Sequence, residues 1–235
     1  MGEIHEDVAL RDRAPVFLDR DDAGRELGRY LAAFPGLENP LACPIPAGGI
    51  PVGIAVARSL GCPVRPFIVR KIQIPWNTEA GFGAVTWDGR VFLNQDLVSR
   101  LRLTPDQVET ATAKARANVR EREQQFNPKP GGTVPDPAGR SCILVDDGLA
   151  SGSTMAAACQ ALRPLHPGKI VVAVPTGSLS SVRRVAELAE EVICLNVRTG
   201  PSFAVADAYR EWHDLTEEEA IRMLRAAGDE GRPGR

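Results

Sequence analysis

No stretch of this 235-residue chain approaches the roughly 20 consecutive apolar residues that a bilayer-spanning helix needs. The first residues, Met1-Gly2-Glu3-Ile4-His5-Glu6-Asp7, lack the basic start and apolar core of a secretory signal, so the expectation is a cytoplasmic protein with no membrane partner. Neither sign of charge is in excess. With 28 Lys and Arg against 30 Asp and Glu, the near-neutral balance argues against a general nucleic-acid or anionic-membrane binder. Cysteines are few and scattered: Cys43, Cys62, Cys142, Cys159 and Cys194, with no Cys-x-x-Cys pair. The three histidines, His5, His166 and His213, lie near no cysteine cluster, which leaves out a zinc site of the usual spacing. The thiols read as small hydrophobes in a reducing compartment. No internal repeat is present. What the chain does have is 43% apolar and 25% charged residues, enough for a core of ordinary size.

The apolar period switches repeatedly between that of a helix and that of a strand. Ala23, Leu27, Tyr30, Leu31 and Phe34 recur at steps of three and four, which predicts an amphipathic helix with Asp21 as N-cap, stopped by Pro35-Gly36. An apolar run over 41–46, a helix over 51–60 closed by Gly61, and a strand over 64–69 weakened by Pro66 follow. Residues 73–90 are rich in turn formers and read as a loop, with a short strand over 91–93 after it. Thr104-Pro105-Asp106-Gln107 combines a cap, a first-turn proline and a capping-box partner, opening a long helix to Phe126. Its Lys114, Arg116, Arg120 and Arg122, mixed with glutamates, read as a solvated face. The segment 128–139 carries four prolines and reads as a surface linker within one domain. Strands over 142–145, 169–174 and 192–195 then alternate with helices over 154–165 and 179–190, and Thr216 to Glu219 opens a last helix. Continuous Val/Ile strands alternating with helices predict an α/β fold: a Rossmann-like parallel sheet flanked by helices, with ligands at the carboxyl ends of the strands.

One segment carries the chemistry. Ile143-Leu144-Val145 ends in Asp146-Asp147, and Gly148-Leu149-Ala150-Ser151-Gly152-Ser153-Thr154 leads into a helix. Backbone N–H groups, hydroxyls and a helix N-terminus form a phosphate cradle across Leu149, Ala150, Ser151, Gly152, Ser153 and Thr154. The carboxylates would repel phosphate but suit a vicinal diol. A ribose 5-phosphate satisfies both halves. One aspartate could merely cap the helix, but two in tandem at the end of a buried strand incur desolvation that no local partner offsets.

This segment resembles the 5-phosphoribosyl pyrophosphate (PRPP) signature of the type I phosphoribosyltransferases: strand, acid pair, then a small-residue loop ending in Gly-x-Thr. The resemblance spans most of the chain and sets an extension over 1–20 before a phosphoribosyltransferase domain over 21–227 with a small hood and a mobile loop; the Arg/Gly/Pro-rich composition after it predicts a disordered tail over 228–235. It places a pyrophosphate loop at Pro46-Ala47-Gly48-Gly49, where Ala47 stands in the position that related sequences often fill with Arg or Lys. It places Arg70 and Lys71 against pyrophosphate oxygens, and makes the loop over 70–90 a lid, with Glu79 as a carboxylate it could bring in. It implies Mg²⁺ held with the substrate, Asp146 and Asp147 contacting the metal indirectly, PRPP and a nucleobase or amine as partners, and homodimers as a common assembly. Family members acting on 6-oxopurines usually carry a carboxylate where Ala150 stands, which leans toward adenine-like, orotate-like or amine acceptors. Phe203, Tyr209 and Trp212 are candidates for stacking a base, with core packing as the alternative for each. Three functions stay open: a Mg²⁺-dependent transferase; because of Ala47, a protein that binds PRPP or a nucleotide without turnover; and a structural or oligomer-interface role with a relic pocket.

Overall fold

A computed structural model of the chain describes residues 1–126 and 136–230, without the side chains of Thr78, Glu79, Asp229 and Glu230. At its centre is a sheet of five parallel strands: β1 (Glu3–His5), β2 (Leu41–Pro44), β6 (Ser141–Val145), β7 (Lys169–Ser178) and β8 (Glu191–Arg198). Their order across the sheet is β1-β8-β7-β6-β2. Every residue of β2 and β6 is buried, as both-face coverage of a parallel sheet requires. Alternate residues of β6 serve opposite layers. Ile143 and Val145 face helices α1 (Arg20–Ala32) and α2 (Gly49–Leu60), through Leu27, Leu31, Val52 and Val56. Cys142 and Leu144 face α5 (Ser153–Leu162) and α6 (Leu179–Ala186), through Met155, Ala158, Val182 and Val185. All five cysteines are free thiols and all but Cys62 are buried. Among the described residues no helix is long and apolar enough to cross a membrane.

A second sheet stands over the carboxyl end of the first. It is antiparallel, in the order β3 (Val69–Ile74), β4 (Asn77–Thr86), β5 (Val91–Leu93), and packs against α4 (Pro105–Phe126) through Ile72, Phe82, Val85, Ala115 and Val119. This is the segment expected as a mobile loop. Its turn formers misled the reading because Gly81 and Gly83 occupy strand positions where the backbone comes close to its neighbours. A Cβ on Gly81 would lie 2.1 Å from Lys71 Cγ, and one on Gly83 would lie 2.4 Å from the Phe92 carbonyl oxygen. The helix α3 (Gln95–Arg100), capped by Asn94, was not anticipated.

Three boundaries also differ. Residues 1–20 are not a separate extension: β1 forms the edge of the main sheet, with Glu3, Ile4 and His5 beside Glu191, Val192 and Ile193. The expected strand over 64–69 is extended chain laid along β2. Ala42 N–H donates to the Pro63 carbonyl at 3.0 Å, and the N–H groups of Arg65 and Phe67 donate to the carbonyls of Ala42 and Pro44, each at 2.8 Å. Pro66 sits at the alternate position, where no N–H is needed. Finally, α7 (Glu217–Glu230) carries helix three residues into the segment expected to be a disordered tail, and 231–235 lie outside the described residues. Most of the proline-rich linker also lies outside them. The two capping boxes are formed as read: Gln107 N–H donates to Thr104 Oγ1 at 3.3 Å and Glu219 N–H donates to Thr216 Oγ1 at 3.2 Å.

Helix α1 begins two residues earlier than expected, because Asp19 caps it by accepting from Asp22 N–H at 2.8 Å. That places Arg20 in its first turn, and the docking of α1 on the sheet fixes where Arg20 points. Leu27, fully buried under this helix, holds the docking. Leu27→Ala should cost about 3 kcal/mol in chemical denaturation. A loss below about 1 kcal/mol would show that α1 is held by something other than this contact.

Candidate active site

Strand β6 delivers Asp146 and Asp147 to the carboxyl edge of the sheet. There they adopt different roles. Asp147 turns toward α1, and its Oδ2 accepts from Arg20 Nε at 2.8 Å. Arg20 is buried, donates its Nη1 to the His213 carbonyl at 2.9 Å, and lies 3.8 Å over the Trp212 ring. The Tyr209 hydroxyl donates to the Asp147 carbonyl at 2.6 Å. Asp146 forms no ion pair among the described residues. Its Oδ1 accepts from Asp147 N–H at 2.9 Å, and its carboxyl also shares a hydrogen bond with the Asp147 side chain. Burial and the Asp147 charge push the Asp146 carboxyl well above its ordinary range. Burial raises Asp147 too, while Arg20 works against the rise.

The loop over 46–49 lies directly on this pair. A Cβ on Gly48 would sit 2.1 Å from Asp147 Oδ2, and one on Gly49 would sit 2.5 Å from the Val145 carbonyl. Only glycine permits the approach, which ends at the N-terminus of α2. The peptide between Pro46 and Ala47 is cis.

On the other side, the segment over 149–154 is pinned through its carbonyls. The Ala150 carbonyl accepts from the hydroxyls of Ser181 and Ser178, and the Ser151 carbonyl accepts from Arg184 Nη1 at 3.1 Å. Leu149 is tied to β7 by its N–H, which donates to the Thr176 carbonyl at 2.9 Å. Gly152, at a φ of 70°, turns the chain into α5. With the carbonyls engaged on α6, the N–H groups of Ala150, Ser151, Gly152 and Thr154 have no acceptor among the described residues. Ser153 N–H and the Ser151 hydroxyl close the turn at 3.3 Å. The result is a concave set of amide donors at a helix start, suited to an anion.

Arg70 and Lys71 lie on β3 and share with Thr154 the wall of a cavity of about 1000 Å³ between the second sheet and α4. The structure thus brings Ala47, Gly48, Gly49 and the acid pair together, and sets Arg70 and Lys71 near the far end of the amide set. Glu79 belongs to β4, and its side chain lies outside the described residues. Tyr209 is core: it packs at 5.9 Å from the Phe17 ring and 5.1 Å from Trp212. Trp212 has one face covered by Arg20, and Phe203 is half-buried. Arg20, Tyr209 and the Ser178, Ser181 and Arg184 clamp were not anticipated. Arg20 sits in a run of charges that looks like an ordinary helix cap, and its partner is 127 residues away.

A carboxyl whose pKa is raised by folding binds its proton more tightly in the native state than in the unfolded chain. Stability attributable to Asp146 therefore grows as pH falls through the raised value, and is lost as pH climbs above it. Asp146→Asn keeps the acceptor for Asp147 N–H and removes the buried charge. It should melt above the wild type at neutral pH, with the gain shrinking as pH falls toward the ordinary carboxylate range. Equal melting temperatures at neutral pH, followed by circular dichroism, would contradict the assigned burial cost.

Comparison with known proteins accords with this geometry. Residues 88–208, just over half of the chain, match the family model described as the phosphoribosyl transferase domain. Two Mycobacterium tuberculosis proteins, from strains CDC 1551 and H37Rv, carry a provisional phosphoribosyl transferase name and are 36% identical over 209 residues. The match takes in 89% of this chain but 46% of theirs, so the chain spans about half the length of these curated relatives. The crystal structure of a Thermus thermophilus protein superposes with a TM-score of 0.78 at 34% identity, covering 89% of this chain and 97% of that one. The parallel sheet, the acid pair at its edge and these matches together establish that the chain belongs to the phosphoribosyl transferase family.

Proposed function

We propose that the protein transfers the 5-phosphoribosyl group of PRPP to a nitrogen of a base or amine, releasing pyrophosphate. One observation supports this above the others: a carboxylate outside any ion pair among the described residues, Asp146, stands between an open set of amide donors and a glycine loop that admits close approach. Ribose hydroxyls would donate to Asp146, the 5-phosphate would lie on the amides of Ala150 to Thr154, and the pyrophosphate would lie toward Gly48 and Gly49. Asp147, held by Arg20, keeps one carboxylate oxygen fixed and lends its charge to the same edge. The bond at ribose C1 breaks as the acceptor nitrogen adds, through a transition state with cationic character at the sugar. The acids lie where that charge would develop. The second sheet and α4 pack against Ala47 and Ile50, beside the glycine loop.

Mg²⁺ fits the donor set, since hard carboxylate oxygens raised in pKa by burial and mutual repulsion are ones whose crowding a cation would offset. When bound with the substrate it would supply charge neutralisation for the departing pyrophosphate. Ala150 leaves no carboxylate at that position to take a proton from a 6-oxopurine, which favours adenine-like, orotate-like or amine acceptors. The rival reading, binding without turnover, draws on Ala47, which puts no charge on the pyrophosphate loop.

Incubation with PRPP, Mg²⁺ and a panel of adenine, orotate and simple amines should release pyrophosphate with at least one acceptor. Asp146→Asn should weaken PRPP binding about tenfold to a hundredfold while the protein stays folded. PRPP binding by calorimetry with no release across the panel would favour the rival reading, and absence of binding would refute both.

A further inference from the structure

Ala47 removes a cation from the loop over 46–49, yet a cation reaches that loop from elsewhere in the chain. Arg122 lies on α4, 7% exposed, and its Nη2 donates to the Pro46 carbonyl at 3.4 Å. Its Nε forms an ion pair with Glu217 Oε1 at 2.8 Å and has no well-aligned hydrogen-bond partner among the described residues. A guanidinium carries five N–H donors. One long hydrogen bond and one ion pair engage only part of this buried group's donors, and a ligand oxygen would take up the remainder.

Arg70 adds a second guanidinium. It is tied to the same helix through Asn118, which accepts from its Nε. Burial first, and then the Arg70 charge, hold the Arg122 pKa below its ordinary value. Two cations that repel each other, one of them bonded to the glycine loop, make a place where a doubly charged anion offsets both. Glu217, about two-fifths exposed at the start of α7, answers only part of that charge.

We infer that Arg122, brought from 76 residues away by α4, is the cation of this loop and contacts the pyrophosphate end of the donor in place of a basic residue at position 47. This rests on the donor reading above. It identifies the ligand class at the loop as a pyrophosphate-type anion and makes Arg122 a binding residue rather than part of a solvated helix face.

Calorimetry on the full chain, with inorganic pyrophosphate and with ribose 5-phosphate, each with Mg²⁺, tests it. The wild type should bind both. Arg122→Gln should lose about tenfold or more in pyrophosphate affinity while ribose 5-phosphate stays within about twofold. Equal pyrophosphate affinity in variant and wild type overturns the inference. Equal losses for both ligands overturn it too, since they would make Arg122 a strut between Pro46 and Glu217. A wild type that binds ribose 5-phosphate but not pyrophosphate sinks this inference alone. One that binds neither sinks the donor reading beneath it. Should Arg122→Gln fail to fold, Glu217→Gln reads the same charge: pyrophosphate affinity should rise by about threefold or more, and unchanged affinity overturns the assignment.

Discussion

Two carboxylates in succession at the end of a fully buried strand repel each other and resist desolvation. The arrangement around β6 can be understood as the management of that problem. Asp147 is given Arg20, which is itself stacked on Trp212 and bonded to the His213 carbonyl. Tyr209 fixes the backbone between the acids and the next loop. Asp146 is left with a backbone N–H and the Asp147 carboxyl. Segments far apart in sequence therefore meet at the site: the first turn of α1 and the segment over 209–213 both close around one aspartate. Such an ion pair adds little net stability by itself, because desolvation offsets the attraction. It holds Asp147 in place, while Asp146 stays outside any ion pair among the described residues.

The glycine loop and the amide set flank this pair in different ways. The loop over 46–49 touches the acids directly, and side chains there would collide with Asp147 and the end of β6. The segment over 149–154 is held from behind by hydroxyls and a guanidinium on α6 and its approach. Between them the second sheet brings Arg70 and Lys71, and α4 brings Arg122. Positive charge is supplied by elements remote in sequence, while the negative charge comes from two adjacent residues.

That asymmetry explains how much could be read from the sequence. Asp146-Asp147 and the segment after them are local, and so are the capping boxes at Thr104 and Thr216. Their meaning is carried by neighbours within a few positions. The parallel sheet was equally legible, because Cys142 to Val145 and Ile170 to Val174 are continuous apolar runs. Arg20 and Arg122 were not, since a charged residue on a polar-looking helix carries no mark of a partner far along the chain. The antiparallel sheet over 69–93 was hidden for a different reason. Its glycines interrupt the two-residue alternation on which strand recognition depends, although they are there to let Lys71 and the Phe92 backbone come close. The short edge strand β1 has only three residues, too few to show a period.

The way the carbonyls of Ala150 and Ser151 are fastened to α6 has a mechanical consequence. A cradle whose backbone is already immobilised needs no reordering when it receives its guest, so little of the attraction is spent on entropy. One extremity of a sugar phosphate would be moored to a stationary berth. The opposite extremity would face the glycine loop and Arg122, whose Nη2 reaches the Pro46 carbonyl at 3.4 Å. A molecule gripped in that manner can shed its far portion while the remainder keeps its station.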